Sequence, residues 1–156
     1  MNIYLVRHGS AEEKTLSGKD SDRKLTEKGK DIIIKSTNYF KPFISEIDII
    51  ISSPYKRAIQ TAEILKKELN LKSDIIQDKR LAPGSRTENI IEICNEIDFS
   101  NIVFVGHEPD FSLHTSNLIS NSGSQINVKK GTILKISFNG KPRLSGGTLE
   151  FLIPPL

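Results

Sequence analysis

A chain of 156 residues is long enough for one domain with a sizeable core, and 37% hydrophobic and 26% charged residues are typical of a globular protein. The net charge is +3, and the basic residues form no continuous block, which argues against nucleic-acid binding. A mild positive charge suits a substrate with a small anionic group. The single cysteine, Cys94, excludes an internal disulfide and is predicted to pack in the core. No apolar run approaches the roughly 20 residues of a membrane span, and no signal peptide is evident, so we expect a cytoplasmic protein without membrane contacts.

Four short apolar runs, rich in β-branched residues, predict strands buried on both faces, as in a parallel sheet. They lie at residues 3–6, 48–52, 73–76 and 102–105. A helical pattern follows each run. The helices are predicted from Thr26 to about Phe40, from Ser53, from Thr87 and from the residue after Pro109. Ser53 is the expected N-cap of the second helix, with Pro54 at its first position. The tail, residues 131–153, predicts two strands around a turn.

This order of elements predicts an α/β fold with a single domain over residues 1–156. The expected architecture is a three-layer α/β/α sandwich with a mostly parallel central sheet and a C-terminal antiparallel strand pair at one side. In such sheets, binding sites form outside the carboxyl ends of the strands. The residues that follow the predicted strands are therefore the first candidates for function.

Polar side chains follow two of the predicted strands. Arg7 and His8 end the first apolar run, and His107 follows the fourth. Arg57 falls in the first turn of the second helix, where free N–H groups and the helix dipole favour an anion. Because the carboxyl ends of parallel strands share one edge of the sheet, these four residues are expected to meet in one pocket.

Two arginines and two histidines in one pocket favour phosphoryl transfer. Guanidinium groups match phosphate oxygens with bidentate hydrogen bonds and keep their charge at any working pH. A neutral imidazole held between them can attack phosphorus in line, and the arginines disfavour its charged form. We expect no metal site, since Arg7 beside His8 would repel a cation. The third histidine, His114, is expected to be a packed, hydrogen-bonded structural residue.

Three motifs in this chain also resemble those of a known family. RHG at 7–9, SSPxxRAxQTA at 52–62 and GHEP at 106–109 are similar, in this order, to motifs of the histidine phosphatase superfamily. The small size, DSDRKLTEKG at 20–29 and RLAPGS at 80–85 are most similar to SixA-type phosphohistidine phosphatases. The resemblance spans nearly the whole chain.

The resemblance implies a nucleophilic histidine at His8, which forms a covalent phosphoenzyme. It also implies a phosphate pocket that needs no metal or other cofactor and consists of Arg7, Arg57 and His107. For substrate binding, we add three further residues as candidates: Arg23 by the same resemblance, Gly9 beside the nucleophile and Glu108 beside the second histidine.

One departure from the family concerns the general acid. Many relatives carry a glutamate in a segment shaped like RLxE, whereas this chain reads RLAP at 80–83. An alcohol needs a proton to leave, but phosphohistidine leaves as neutral imidazole, whose conjugate acid has a pKa of about 6.5. We therefore predict a phosphatase acting on a histidine-phosphorylated protein. The alternatives are a phosphatase of a small phosphomonoester, with Glu108 or Glu88 as the acid, and a non-catalytic phosphate-binding module.

Overall fold

The computed structural model of the chain describes residues 1–44 and 46–156. These residues form one six-stranded sheet and four helices. The strands are β1 (Asn2–Arg7), β2 (Ile49–Ser52), β3 (Ile75–Gln77), β4 (Asn101–Gly106), β5 (Ile133–Phe138) and β6 (Gly147–Ile153). The helices are α1 (Glu27–Phe40), α2 (Lys56–Glu68), α3 (Thr87–Glu96) and α4 (Asp110–Ile119).

The strand order in the sheet is β3-β2-β4-β1-β5-β6. Strands β1 to β4 are parallel, whereas β5 is antiparallel to β1 and β6 is antiparallel to β5. The last two strands therefore form an antiparallel pair at one side of a parallel sheet. Strand β1 lies inside the sheet between β4 and β5, so both of its edges are paired.

The side chains of β1 alternate between two hydrophobic cores, as expected for a strand covered on both faces. Ile3 and Leu5 pack in the core that includes residues of α3 and α4, whereas Tyr4 and Val6 pack in the core that includes residues of α1 and α2. The sheet is thus the middle layer of an α/β/α sandwich, and the predicted fold class is confirmed. Within the described ranges, every helix is too short or too weakly apolar to cross a bilayer.

The predicted strands and helices are all present, but the predicted start of α2 is wrong. The helix begins at Lys56, with Tyr55 as its N-cap residue. The hydroxyl of Ser53 accepts a hydrogen bond from the backbone N–H of Tyr55 at 3.3 Å. Ser53 therefore closes a tight turn ahead of the helix instead of capping it, and Pro54 belongs to that turn.

Candidate active site

The site lies where β1 and β4 end side by side. His8 directly follows β1 and His107 directly follows β4, and the backbone N–H of His8 donates to the carbonyl of Gly106 at 3.1 Å. The two imidazole rings are 5.1 Å apart, measured between their centroids. Both side chains are buried, with 7% of His8 and 2% of His107 exposed. Parallel pairing of the two strands thus brings the two predicted histidines together.

The ring of His8 is held at both nitrogens. Nδ1 lies 2.7 Å from the carbonyl oxygen of Gly9, and Nε2 lies 3.1 Å from Nε of Arg57. A carbonyl only accepts and a guanidinium only donates, so the proton of the neutral ring is on Nδ1 and the lone pair is on Nε2. The contacts therefore select the tautomer in which Nε2 is the nucleophilic atom.

Gly9 supports this arrangement through its backbone. Its N–H donates to the hydroxyl of Thr61 at 3.2 Å, and that hydroxyl donates to the carbonyl of Arg57 at 2.8 Å. A Cβ atom at Gly9 would lie 2.9 Å from the side chain of Ile33, so the close approach of α1 requires glycine here. Both backbone groups of Gly9 are engaged within the protein, and its observed contacts orient His8.

Burial lowers the pKa of His8 to about 3, and the nearby charges of Arg57, Arg7 and Lys130 act in the same direction. The hydrogen bond to Gly9 opposes this shift. The imidazole of His8 is therefore neutral near pH 7, with a lone pair available for attack. The expectation that the arginines favour the neutral ring is correct in sign, although burial is the larger cause.

Arg57 is the most fully engaged cation of the site. Its guanidinium is buried, and in addition to the bond to His8 it donates from Nη1 to the backbone carbonyl of Asp20 and from Nη2 to the Asp20 carboxylate, both at 2.9 Å. The guanidinium carbon lies 5.0 Å from the ring centroid of Tyr55. Arg57 thus connects the nucleophile candidate to the short 3-10 turn Asp20–Asp22.

His107 has one nitrogen that is paired and one that is not. Its Nε2 lies 2.7 Å from the hydroxyl of Ser53, whereas Nδ1 is buried and has no hydrogen-bond partner among residues 1–44 and 46–156. Burial lowers the pKa of His107 to about 3, and the charges of His8 and Arg57 contribute. The ring of His107 is therefore neutral near pH 7, next to His8.

Arg7 is the last residue of β1, and its charge acts on both histidines. Its Nη1 donates to the carbonyl of Val128 at 2.8 Å, while Nε is buried without a partner in the described part of the chain. Burial lowers the pKa of Arg7, and the negative charge of Glu108 opposes this shift. Arg7 is therefore a cation with an unused N–H donor near His8 and His107.

The remaining candidates lie at the margin of the site or outside it. Arg23 donates from Nε to the carbonyl of Glu12 and from Nη1 to the carboxylate of Asp20 at 2.7 Å, so it reaches the site through Asp20. The carboxylate of Glu108 accepts hydrogen bonds from the backbone N–H and the hydroxyl of Ser112 in the first turn of α4. The alternative acid, Glu88, is exposed, with its carboxylate 3.8 Å from Arg86.

The other two residues considered from sequence are buried away from this constellation. Burial raises the pKa of the Cys94 thiol in α3 to about 12, so the thiol stays protonated. His114 lies in α4 between the hydroxyls of Thr87 and Ser85, at 3.1 and 3.2 Å. In the described residues, no group of three or more His, Cys, Asp or Glu side chains could hold a metal ion.

Sequence reasoning missed three residues that contact the site. Asp20 pairs with Arg57 and Arg23, Ser53 pairs with His107, and Thr61 supports Gly9. Ser53 and Thr61 lie within the SSPxxRAxQTA segment, and Asp20 opens the DSDRKLTEKG segment. A signal for all three was therefore present in the motifs, but their partners are distant in sequence.

The comparisons with known proteins agree with these motifs. The profile of the histidine phosphatase superfamily (branch 1) matches residues 3–83, a range that includes His8 and Arg57. The chain is also 31% identical over 153 residues to an uncharacterized protein of Picosynechococcus sp. (strain ATCC 27264 / PCC 7002 / PR-6), covering 95% of this chain and 91% of that protein. The chain belongs to the histidine phosphatase superfamily. His107 lies beyond the matched range of the superfamily profile and joins the site through the pairing of β1 with β4.

Solved structures share the fold of this superfamily member over almost its whole length. The protein histidine phosphatase SixA, solved in complex with tungstate, is similar with a TM-score of 0.85 and 23% identity, covering 99% of this chain and 97% of that one. A SixA structure from Agrobacterium tumefaciens has a TM-score of 0.80 and 20% identity, with 99% and 97% covered. At these identities the similarity establishes a common fold.

Proposed function

We propose that this superfamily member is a phosphatase that hydrolyses phosphohistidine on a protein, with His8 as the nucleophile. The observation that carries the proposal is the environment of His8: a neutral imidazole, with its lone pair on Nε2, beside the buried guanidinium of Arg57. The motifs and the superfamily match support a phosphatase. The protein substrate is suggested by the fold shared with SixA, whose structure is described as that of a protein histidine phosphatase.

In the first step, Nε2 of His8 forms a bond to phosphorus while the bond from phosphorus to the substrate nitrogen breaks. The hydrogen bond that Arg57 Nε donates to His8 Nε2 passes to a phosphoryl oxygen as the phosphorus approaches. The proton on Nδ1 of His8 stays bonded to the Gly9 carbonyl, which stabilises the positive charge that develops on the ring. The substrate imidazole leaves with the electron pair of the broken bond.

The unpaired donors of the site account for the remaining phosphoryl oxygens. Nε of Arg7 carries a proton that no described residue accepts. If the Ser53 hydroxyl donates to Nε2 of His107, Nδ1 of that ring carries the proton and is the second donor. Charge-assisted hydrogen bonds from these groups and from Arg57 would stabilise the transferring phosphoryl group.

The surroundings of the two carboxylic acid candidates favour a leaving group that needs no fixed acid. Glu108 accepts two hydrogen bonds from Ser112, and Glu88 is exposed beside Arg86. A protonated phosphoimidazole leaves as neutral imidazole, whereas an ester must gain a proton on its leaving oxygen. The proposed substrate therefore contains an N–P bond.

In the second step, water attacks the phosphorus of phosphorylated His8, the N–P bond breaks, and inorganic phosphate is released together with both protons of the water. The electron pair returns to Nε2, so the neutral ring is restored. Arg57 and the unpaired donors hold the phosphoryl oxygens throughout, and the mechanism uses only groups of this chain.

The test compares the wild type with His8→Ala on three substrates: a phosphohistidine-bearing protein, an aryl phosphate and a phosphoserine peptide. We expect fast loss of phosphohistidine, slow cleavage of both esters and an inactive variant. Wild-type protein quenched in acid should carry no phosphoryl group. Wild-type protein quenched in alkali, which preserves phosphohistidine, should carry a phosphoryl group on His8.

Each other outcome selects a different function. Ester cleavage as fast as phosphohistidine cleavage would indicate a phosphatase of small phosphomonoesters, with Glu108 as a candidate general acid. Binding of a phosphohistidine protein without turnover, retained in His8→Ala, would indicate a binding module, since a binder requires the arginines but not the nucleophile.

A further inference from the structure

The phosphoryl pocket contains a carboxylate of the protein itself. One oxygen of Asp20 accepts from Nη2 of Arg57 at 2.9 Å, and the other accepts from Nη1 of Arg23 at 2.7 Å. Hydrogen bonds from Arg23 and Arg57 lower the pKa of this carboxyl, so it is ionised at neutral pH. The negative charge of Asp20 also acts on His107, where it partly opposes the lowering of the pKa by burial. Asp20 therefore occupies a donor of Arg57, a residue that the phosphoryl oxygens would also contact.

Arg57 does not depend on this carboxylate for its position. The guanidinium is buried, and its Nε contacts His8. Its Nη1 contacts the backbone carbonyl of residue 20, which is present whatever side chain stands at this position. The Asp20 side chain is 51% exposed, so its carboxylate can turn towards solvent and be hydrated there. The contact between the carboxylate and Arg57 is thus replaceable, whereas the other contacts of Arg57 are built into the fold.

A phosphoryl group offers the oxygens and the negative charge that Asp20 now supplies. Guanidinium donors bind carboxylates and phosphates with the same geometry, so the two anions compete for Nη2 of Arg57. The negative charges of the Asp20 carboxylate and of a phosphoryl group beside Arg57 also repel each other. This repulsion weakens binding of the phosphoryl group while Asp20 stays in place.

We propose that Asp20 is the resident counter-ion of the phosphoryl pocket and that it determines how strongly the pocket holds phosphate. This inference rests on the proposed function, because it assigns the pocket to phosphoryl groups. The carboxylate neutralises Arg57 and Arg23 before the substrate binds, turns aside as the phosphoryl group takes over the donors, and returns when phosphate leaves. The affinity for free phosphate is thereby kept low, which limits inhibition by the product.

The chain provides a matched control in the same turn. Asp22 carries the same charge two positions away, but its carboxylate contacts the Ser17 hydroxyl at 2.7 Å and Lys56 at 3.6 Å. Substitution of Asp22 therefore changes the net charge equally without freeing Arg57. Asp20→Asn preserves the size of the side chain, and Asp20→Ala removes any remaining acceptor.

The experiment measures tungstate binding by isothermal titration calorimetry, which needs no turnover. We expect Asp20→Asn and Asp20→Ala to bind tungstate about 5- to 50-fold more tightly than the wild type, and Asp22→Asn to stay within about threefold of it. In the phosphatase assay, inhibition by inorganic phosphate should strengthen in the Asp20 variants to a similar extent.

The other outcomes separate this inference from the proposed function. Equal or weaker tungstate binding in both Asp20 variants, with binding abolished by Arg57→Ala, would overturn the role of Asp20 and leave the phosphoryl pocket intact. The same gain in Asp22→Asn would assign the effect to net charge and also overturn it. No tungstate binding by the wild type or any Asp20 variant would overturn both proposals.

Discussion

Replacing His114 by glutamine isolates the effect of one buried histidine on stability. His114 is 1% exposed and lies between the hydroxyls of Thr87 and Ser85. Burial lowers its pKa to about 4, whereas an unfolded chain leaves histidine near its ordinary value of 6.5. Glutamine retains hydrogen-bonding capacity but does not titrate. The hydrogen bonds of His114 to Thr87 and Ser85 do not involve His8 or Arg57, so the substitution leaves the contacts of the site in place.

The sign of the effect follows from proton uptake by the unfolded state. Above about pH 7.5, His114 is almost fully neutral in both states and contributes little pH dependence. As the pH falls from about 7.5 towards 4, the unfolded chain binds a proton that the folded protein does not, so stability decreases. Between about pH 7.5 and pH 5.0, this loss amounts to about 2 kcal/mol for the wild type. The glutamine variant lacks this contribution.

The assay is urea unfolding followed by far-UV circular dichroism, since the chain contains no tryptophan. The quantity to compare is the difference in unfolding free energy between wild type and His114→Gln at the two pH values. Carboxylates titrate in both proteins and cancel in this difference. We expect the difference to move by about 2 kcal/mol in favour of the variant on acidification. A difference that stays constant within about 0.5 kcal/mol would refute the reasoning.

Three further substitutions test the site. Arg57→Ala is expected to lower turnover of phosphohistidine by at least about a hundredfold through loss of a charge-assisted contact, and a drop below about threefold would exclude Arg57 from catalysis. Thr61→Val leaves the buried N–H of Gly9 without its acceptor, so we expect a loss of about 1–3 kcal/mol in urea unfolding, together with a lower kcat as His8 loses its orientation. An unchanged unfolding free energy would contradict that role of Thr61. Glu108→Gln is expected to keep turnover of phosphohistidine within about threefold, whereas a loss near a hundredfold would identify Glu108 as the general acid.

The fold was predictable because its signals are local. Buried parallel strands appear in sequence as short β-branched runs, and Thr26, which caps α1 by accepting from the N–H of Gly29 at 3.0 Å, marks that helix clearly. Once the order of strands and helices predicts a parallel sheet, the convergence of His8 and His107 follows from topology. Their 5.1 Å separation therefore agrees with what the sequence indicated.

The details that escaped prediction depend on contacts between distant segments. Ser53 was expected to cap α2, but its hydroxyl is committed to the turn before the helix and to His107, which lies 54 positions away. Asp20 lies 37 positions before Arg57, in a segment without regular periodicity. No local pattern pairs a loop carboxylate with a helix arginine, so such contacts require the folded structure.

The reversed direction of β5 determines which part of the chain forms one wall of the pocket. Because β5 is antiparallel to β1, its beginning lies beside the end of β1, and the residues that enter it reach Arg7: Thr132 accepts from the Arg7 N–H at 3.1 Å, and Val128 accepts from its side chain. Between these two contacts, Lys129 and Lys130 are exposed, and the charge of Lys130 lowers the pKa of His8. Exposed loops tolerate insertions. Extra chain placed at these two lysines would start beside Arg7, so a lid over the pocket can be added to this fold while every strand and both histidines stay in place.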